Sequence, residues 1–374
     1  MLITRSDEGR PLGVIGCLRA GFEIVSRRPW LILLPVALDL LLWLGPRLSL
    51  DPAWASELAD GYTALALSNG HLGPEAMASL EEAVALVREA LQSFNLFSFV
   101  SLAPLLHVPT LTGHPMVFEY KMAVGSPLGT RQALLVSGAG ALGGWIALLL
   151  PLGLLFGYVY LVGLARPVRR LRRARLDQPV GPFGGPETDP FRAKEAKARL
   201  RGYAARLGQL LLFGACALLA VAFALTGALL VGALSAGSAF GPELSVMTGI
   251  MGMGLAYYIG LQVAFVVPAI VLGGRRFLPA IRESVTILYV NSGAAIWFVL
   301  VVVLLHQVTG ALWSLARPDT WAMAASVVGN ACVVTGLTAA AFVFYQDRAA
   351  RLKRLPRPVE QESRSGDESE EGTE

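Results

Sequence analysis

Charged residues are scarce in this chain, at 16% of 374, where a soluble domain carries about 25%. That shortage, with 54% hydrophobic residues and a mean hydropathy of +0.57, excludes a soluble enzyme and a disordered regulator. Cysteine is equally sparse: Cys17, Cys216 and Cys332 are odd in number and far apart, so no disulfide framework is available. There is no CxxC spacing, no Walker A motif, no GxSxG, no HExxH and no dinucleotide fingerprint. What remains in quantity is long apolar sequence, and the composition is that of a polytopic helical membrane protein.

A bilayer core of about 30 Å needs roughly 20 apolar residues per helix. Six stretches meet that length: about 29–48, 133–164, 208–235, 244–272, 293–315 and 321–345. A seventh, 94–111, is shorter and is broken by Pro104, His107 and Pro109. Charge segregation decides its status. Residues 51–93 hold seven acids against Arg88, whereas 166–206 hold twelve bases against four acids. If 94–111 crossed the membrane, the basic loop would lie outside. If it does not, that loop falls inside together with Arg275, Arg276, Arg282 and the run Arg348, Arg351, Lys353, Arg354. The expectation is therefore an all-α bundle of six spans in a bacterial plasma membrane, both termini cytoplasmic, with 94–111 packed on the bundle or lying at its interface.

The membrane domain reads as 1–347, followed by a basic and then acidic disordered tail at 348–374. Arg27-Arg28 followed by Pro29-Trp30-Leu31 resembles a twin-arginine export signal, with Ala53-Trp54-Ala55 like a cleavage site. Asp39 would disrupt the apolar region of such a signal, and the arginines read instead as the anchor of the first span.

Three amphipathic segments precede three spans. Their apolar stripes are Val14, Leu18, Phe22, Val25; then Ala196, Leu200, Tyr203, Leu207; then Phe277, Ile281, Val285, Leu288. Each has basic residues beside the stripe, which suits interfacial helices lying flat at an anionic cytoplasmic leaflet. The chain thus reads as a threefold unit (about 11–164, 190–272 and 275–346) of interfacial helix, span, external loop and span. The first unit is enlarged by an external insertion at 51–132, with helical stripes at Trp54, Leu58, Tyr62, Leu65 and at Met77, Leu80, Val84, Val87, Leu91. Those helices cap the bundle or meet a protein partner or a second copy.

Asp39, with leucine on both sides, is the most informative polar residue. A charged Asp at a helix centre costs about 2.5–3.5 kcal/mol on insertion scales, so it must be paired, protonated or turned inward. Gln262, His306, Asn330, Thr335 and Tyr257/Tyr258 are its candidate partners, and Asp39, Gln262, His306 and Asn330 form the candidate intramembrane polar site. His107, His114 and Glu119 match no strong metal-ligand spacing, so neither metal nor cofactor is expected. The arginine run 166–175 follows a span directly and reads as a topology determinant that attracts anionic lipid rather than nucleic acid. Glycines at 140, 144, 153, 157, 249, 252 and 254 permit close helix approach, and Pro35, Pro151 and Pro268 sit inside spans.

The run from Arg28 to Trp43, with Phe277-Leu-Pro-Ala-Ile-Arg-Glu-Ser-Val285 before a later span, resembles a group of uncharacterised bacterial six-span proteins. These are broadly similar to the membrane domain beside some glycerophosphodiester phosphodiesterases. The resemblance implies paired spans with interfacial helices. It carries no catalytic chemistry, because the soluble phosphodiesterase domain has no counterpart in these residues. The functional expectation is a non-enzymatic membrane scaffold or accessory subunit, the alternative a small-solute or ion transporter or channel using Asp39.

Overall fold

Two apolar runs are only partly helical: a Gly-Pro pair ends the helix of the first, and a left-handed glycine precedes the helix of the second. In the computed structural model, which describes residues 12–68, 74–101, 108–112, 126–129, 131–175, 192–235, 241–313 and 315–352, the helix after Arg28 ends at Leu44. Gly45 and Pro46 then turn the chain into a strand, β1 (Arg47–Leu50). The run beginning at Ala133 is likewise a strand, β2 (Ala133–Val136). Gly138, in the left-handed region at φ +87°, ends it before the next helix. The two strands pair in parallel, Arg47 opposite Ala133 and Leu50 opposite Val136. The chain is mostly helical, as its sequence leads one to expect, with one small sheet added, and the helices within the expected spans 29–48 and 133–164 run over 29–44 and from 139 onward.

The helices are α1 (Val14–Arg27), α2 (Leu33–Leu44, led in by a 3-10 turn at Pro29–Ile32), α3 (Pro52–Ser68), α4 (Pro74–Ser93) and α5 (Ala139–Arg175). They continue as α6 (Arg192–Ser235), α7 (Gly241–Val263), α8 (Val266–Val271), α9 (Phe277–Val290), α10 (Ser292–Trp313) and α11 (Ala322–Leu352). Among the described residues, five segments are long and apolar enough to cross a membrane: Ala139–Leu171, Arg201–Ala220, Met247–Val271, Ser292–Trp313 and Ala322–Leu352. The apolar helix Pro29–Leu44 is shorter. This architecture is compatible with a membrane protein.

The chain from α1 through α2 runs antiparallel to α11. At one end the Arg348 guanidinium donates to Leu12 O; at the other the Trp43 indole N–H donates to Pro318 O at 2.8 Å and the ring meets Trp321 edge-on. Between them α1 and α11 touch backbone to backbone. A Cβ built on Gly21 would fall against Gly336 O and 2.6 Å from Ala340 N, so only glycine fits there. The buried face of α1 is Cys17, Ala20, Gly21, Ile24 and Val25. Of the expected stripe, only Val25 is buried, and Phe22 is 37% exposed. In α9 the buried residues are Ala280, Ser284, Ile287 and Leu288, with Val285 outside. Both helices thus pack onto neighbouring helices through faces that combine small residues with Ile24, Val25, Ile287 and Leu288, while Val14, Leu18, Phe277 and Ile281 of the expected stripes are partly buried against the core. The middle segment differs again, since it is continuous with its span in the 44-residue α6.

The main core lies where α5, α6, α8, α9, α10 and α11 converge. Phe298 stacks on Phe344 at 4.5 Å and Phe344 on Phe265 at 5.3 Å, with the Arg348 guanidinium over the Phe344 ring. At the other end, α3 and α4 form an antiparallel pair bridged by Arg88 and Asp60 at 2.9 Å. β1 and β2 close the crossover between α2 and α5. The Asn95 side chain accepts from the N–H groups of Leu48 and Phe97. Arg47 donates to Ser93 O and Arg131 to Leu42 O. Burial, and then the neighbouring Arg47 charge, pulls the Arg131 guanidinium down to about 10.

Candidate functional site

Asp39 is fully buried in α2, and its partners are not other spans. Its Oδ2 accepts from the backbone N–H of Leu111 at 2.9 Å. Its Oδ1 accepts from the N–H of Thr112 at 2.8 Å and from Thr112 Oγ1 at 2.7 Å. The segment Val108–Thr112 lies against α2 and α11, with Leu111 packed among Trp43, Met323 and Val327. The carboxylate thereby satisfies two main-chain donors that burial would otherwise leave without water or a ladder. A pair of N–H groups on one carboxylate is also the charge-assisted arrangement that holds a loop firmly. The Thr110 hydroxyl beside them has no hydrogen-bond partner among the described residues.

The other sequence candidates do not join Asp39. Asn330 is buried in α11 and His306 half-buried in α10, and the hydrogen bonds of Asp39 go to Leu111 and Thr112 instead. Gln262 belongs to a separate feature, the break between α7 and α8. There Pro268 and the turn at Ala264–Phe265 interrupt the helix, and Ser284 of α9 spans the gap. Its Oγ accepts from Phe265 N–H at 3.2 Å and donates to Gln262 O at 2.7 Å, while Gln262 Oε1 is buried without a hydrogen-bond partner among the described residues. Thr335 pairs with the Tyr160 hydroxyl at 3.0 Å, linking α5 and α11.

The 3-10 turn Leu96–Ser101 rests on α5, with Val100 against Gly153 and Phe97 edge-on to Trp145. His107, His114 and Glu119 lie outside the described residues. Among the described residues no group of three or more His, Cys, Asp or Glu is placed to hold a metal ion.

A second polar assembly, which sequence reading did not single out, surrounds the turn Leu272–Arg276 between α8 and α9. Arg169 of α5 donates to Val271 O at 2.6 Å and to Leu272 O, capping the C-terminus of α8. Gln209 of α6 accepts the Phe277 N–H at 2.7 Å. Glu283 of α9 holds Arg275 at 2.7 Å through one oxygen and the Tyr345 hydroxyl of α11 at 2.9 Å through the other. Five helices are therefore tied to one exposed, glycine-containing turn. The pattern had only a faint signal in sequence, the Gly273-Gly274-Arg275-Arg276 run.

Comparison with protein-family models, with curated proteins and with solved structures returns no match.

Proposed function

We infer that this chain is a non-enzymatic integral membrane protein, a scaffold or accessory subunit of a bacterial plasma membrane. The observation that carries the reading is the use made of Asp39. A carboxylate offers about four lone-pair sites, and three are occupied in fastening the 108–112 segment to the bundle. A group engaged in this way organises structure; it is not poised to bind and release a cation. The resemblance in span layout noted in the sequence supports the same reading.

In this reading Pro29–Leu44 is the sixth crossing. At about 24 Å it is shorter than the hydrocarbon core, a mismatch accommodated by local thinning and by Arg27, Arg28 and Arg47 reaching to the interfaces. The contacts of Arg348 with Leu12, Arg169 with the α8 terminus and Tyr345 with Glu283 support gathering the basic segments at one end, which becomes the cytoplasmic one with both termini. The acidic pair α3–α4 then faces outward. Its exposed Glu81, Glu82, Leu86 and Glu89 offer a basic protein partner an acidic, partly apolar face.

The test is mass spectrometry of the full chain extracted into lipid nanodiscs. A stoichiometric protein partner that is lost on Glu81→Lys/Glu82→Lys/Glu89→Lys supports the scaffold reading. The break at Val263–Phe265, with Gln262 Oε1 buried beside it, favours transport as the second reading. Solute flux in proteoliposomes that is abolished by Gln262→Ala, with no partner retained, would replace the first reading by the second.

A further inference from the structure

The turn between α8 and α9 carries more positive charge than its fold requires. Arg169 and Arg275 have structural work there, Arg169 on the α8 carbonyls and Arg275 on Glu283. Arg276 is exposed in the same turn. Arg206, from α6, brings its guanidinium over Gly274, within 3.6 Å of where a Cβ would stand. Gly274 is in the left-handed region at φ +63°, so the bare backbone and the close approach of Arg206 go together. Arg169 and Arg206 both act electrostatically on the Tyr158 hydroxyl, which places the two charges around one point. Against these four guanidiniums stands Glu283, whose two oxygens are already held by Arg275 and Tyr345.

The apolar surroundings add the second half of the argument. Leu278, in the first turn of α9, is 65% exposed, and Leu211 and Leu212 lie exposed five and six residues beyond Arg206 on α6. The membrane-spanning part of α6 includes Arg206 itself. A group of guanidiniums sits at the edge of an apolar wall, where a phosphate finds donors and its attached chains find leucine. Arginine suits that role because its planar fork donates to two phosphate oxygens at once.

We propose that Arg206, Arg276 and the Gly274 backbone form a binding site for the phosphate of an anionic phospholipid, with the acyl chains along Leu211, Leu212 and Leu278. This deepens the membrane-scaffold reading and rests on its placing α6 in the bilayer. The site makes lipid a structural ligand that joins α6 to the α8–α9 turn and the start of α9.

The test is native mass spectrometry of the full chain in nanodiscs of equal phosphatidylglycerol and phosphatidylcholine. The wild type retains phosphatidylglycerol in preference, and Arg206→Gln/Arg276→Gln lowers that preference about thirtyfold, at roughly one order of magnitude or less per surface base. Arg317→Gln, at the other end, leaves it unchanged, and Arg206→Lys/Arg276→Lys, which keeps the charge but loses the fork, falls between the wild type and the glutamine variant. A wild type without the preference, or a glutamine variant with the wild-type preference, overturns the site. Inorganic phosphate that displaces the lipid at millimolar concentration, and binds as tightly when no anionic lipid is present, also overturns it in favour of a soluble anion. A missing lipid preference beside a retained protein partner rejects this site alone; a chain recovered outside the nanodisc rejects the membrane reading beneath it.

Discussion

Asp39 and Thr112 are 73 positions apart, yet one carboxylate oxygen accepts both the N–H and the hydroxyl of Thr112. The Leu111 N–H completes the arrangement on the other oxygen. Asp39→Ala removes the acceptor and leaves two buried N–H groups unsatisfied, which costs the chain about 3 kcal/mol. Asp39→Asn keeps one carbonyl oxygen but turns an NH2 towards a donor, so it loses less than Ala and more than half of that amount. Thermal unfolding in nanodiscs gives the ordering. Hydrogen exchange gives the location: Leu111 and Thr112 amides are protected in the wild type and exchange rapidly in Asp39→Ala. Unchanged protection would show that the carboxylate is not what holds the segment.

Gly21 and Gly336 make the closest approach between α1 and α11, so volume added there has nowhere to go. Gly21→Leu is expected to destabilise the protein by about 1–3 kcal/mol through overpacking. Gly254→Leu, on an exposed part of α7 where a Cβ meets nothing within 4 Å, is expected to leave the melting temperature within a degree or two. Equal effects at the two positions would mean that α1 does not pack on α11 as described.

The same glycine contact shows what sequence periodicity can and cannot deliver. Helix existence was legible because long apolar runs leave few alternatives, and five spanning-length helices fall where hydropathy placed them. The helix partners of α1 and α9 were not legible, because a stripe of bulky residues does not say which small residues of the same helix admit a neighbour. Cys17, Ala20, Gly21 and Ser284 turn inward, while Phe22 and Val285 remain partly outside. Asp39 was legible as a residue needing partners, since its burial cost is large. Its actual partners are main-chain N–H groups, which every residue carries and no pattern marks. Gln209, Glu283 and Tyr345 were missed for a related reason: each looks like a solvated helix residue until the α8–α9 turn brings them together.

Ser284 closes the gap between α7 and α8 by accepting from Phe265 N–H and donating to Gln262 O. Ser284→Ala removes both bonds in a fully buried place, and a loss of about 2 kcal/mol is expected. Ser284→Thr keeps the hydroxyl and should recover part of it, limited by the room for a methyl group. Amide exchange at Phe265 separates a local effect from a global one. Accelerated exchange there with the rest of α9 still protected identifies Ser284 as the clamp of the break.

Opposite ends of the bundle carry opposite charge, and this fixes an experiment on orientation. Arg276 lies in the basic α8–α9 turn, whereas Glu57 lies on α3 beyond β1, and both are exposed. In a background with Cys17, Cys216 and Cys332 replaced by alanine, Glu57→Cys should react with a membrane-impermeant maleimide added to intact cells. Arg276→Cys should react only after the membrane is opened. Thr320→Cys, in the turn before α11 at the Trp43 end, should follow Glu57→Cys if Pro29–Leu44 crosses the bilayer beside α11. The physical basis is that moving positive segments to the outer side is opposed during insertion, whereas acidic segments contribute little to that bias. Labelling of Arg276→Cys in intact cells would invert the topology, and with it the assignment of the acidic helices to the external face.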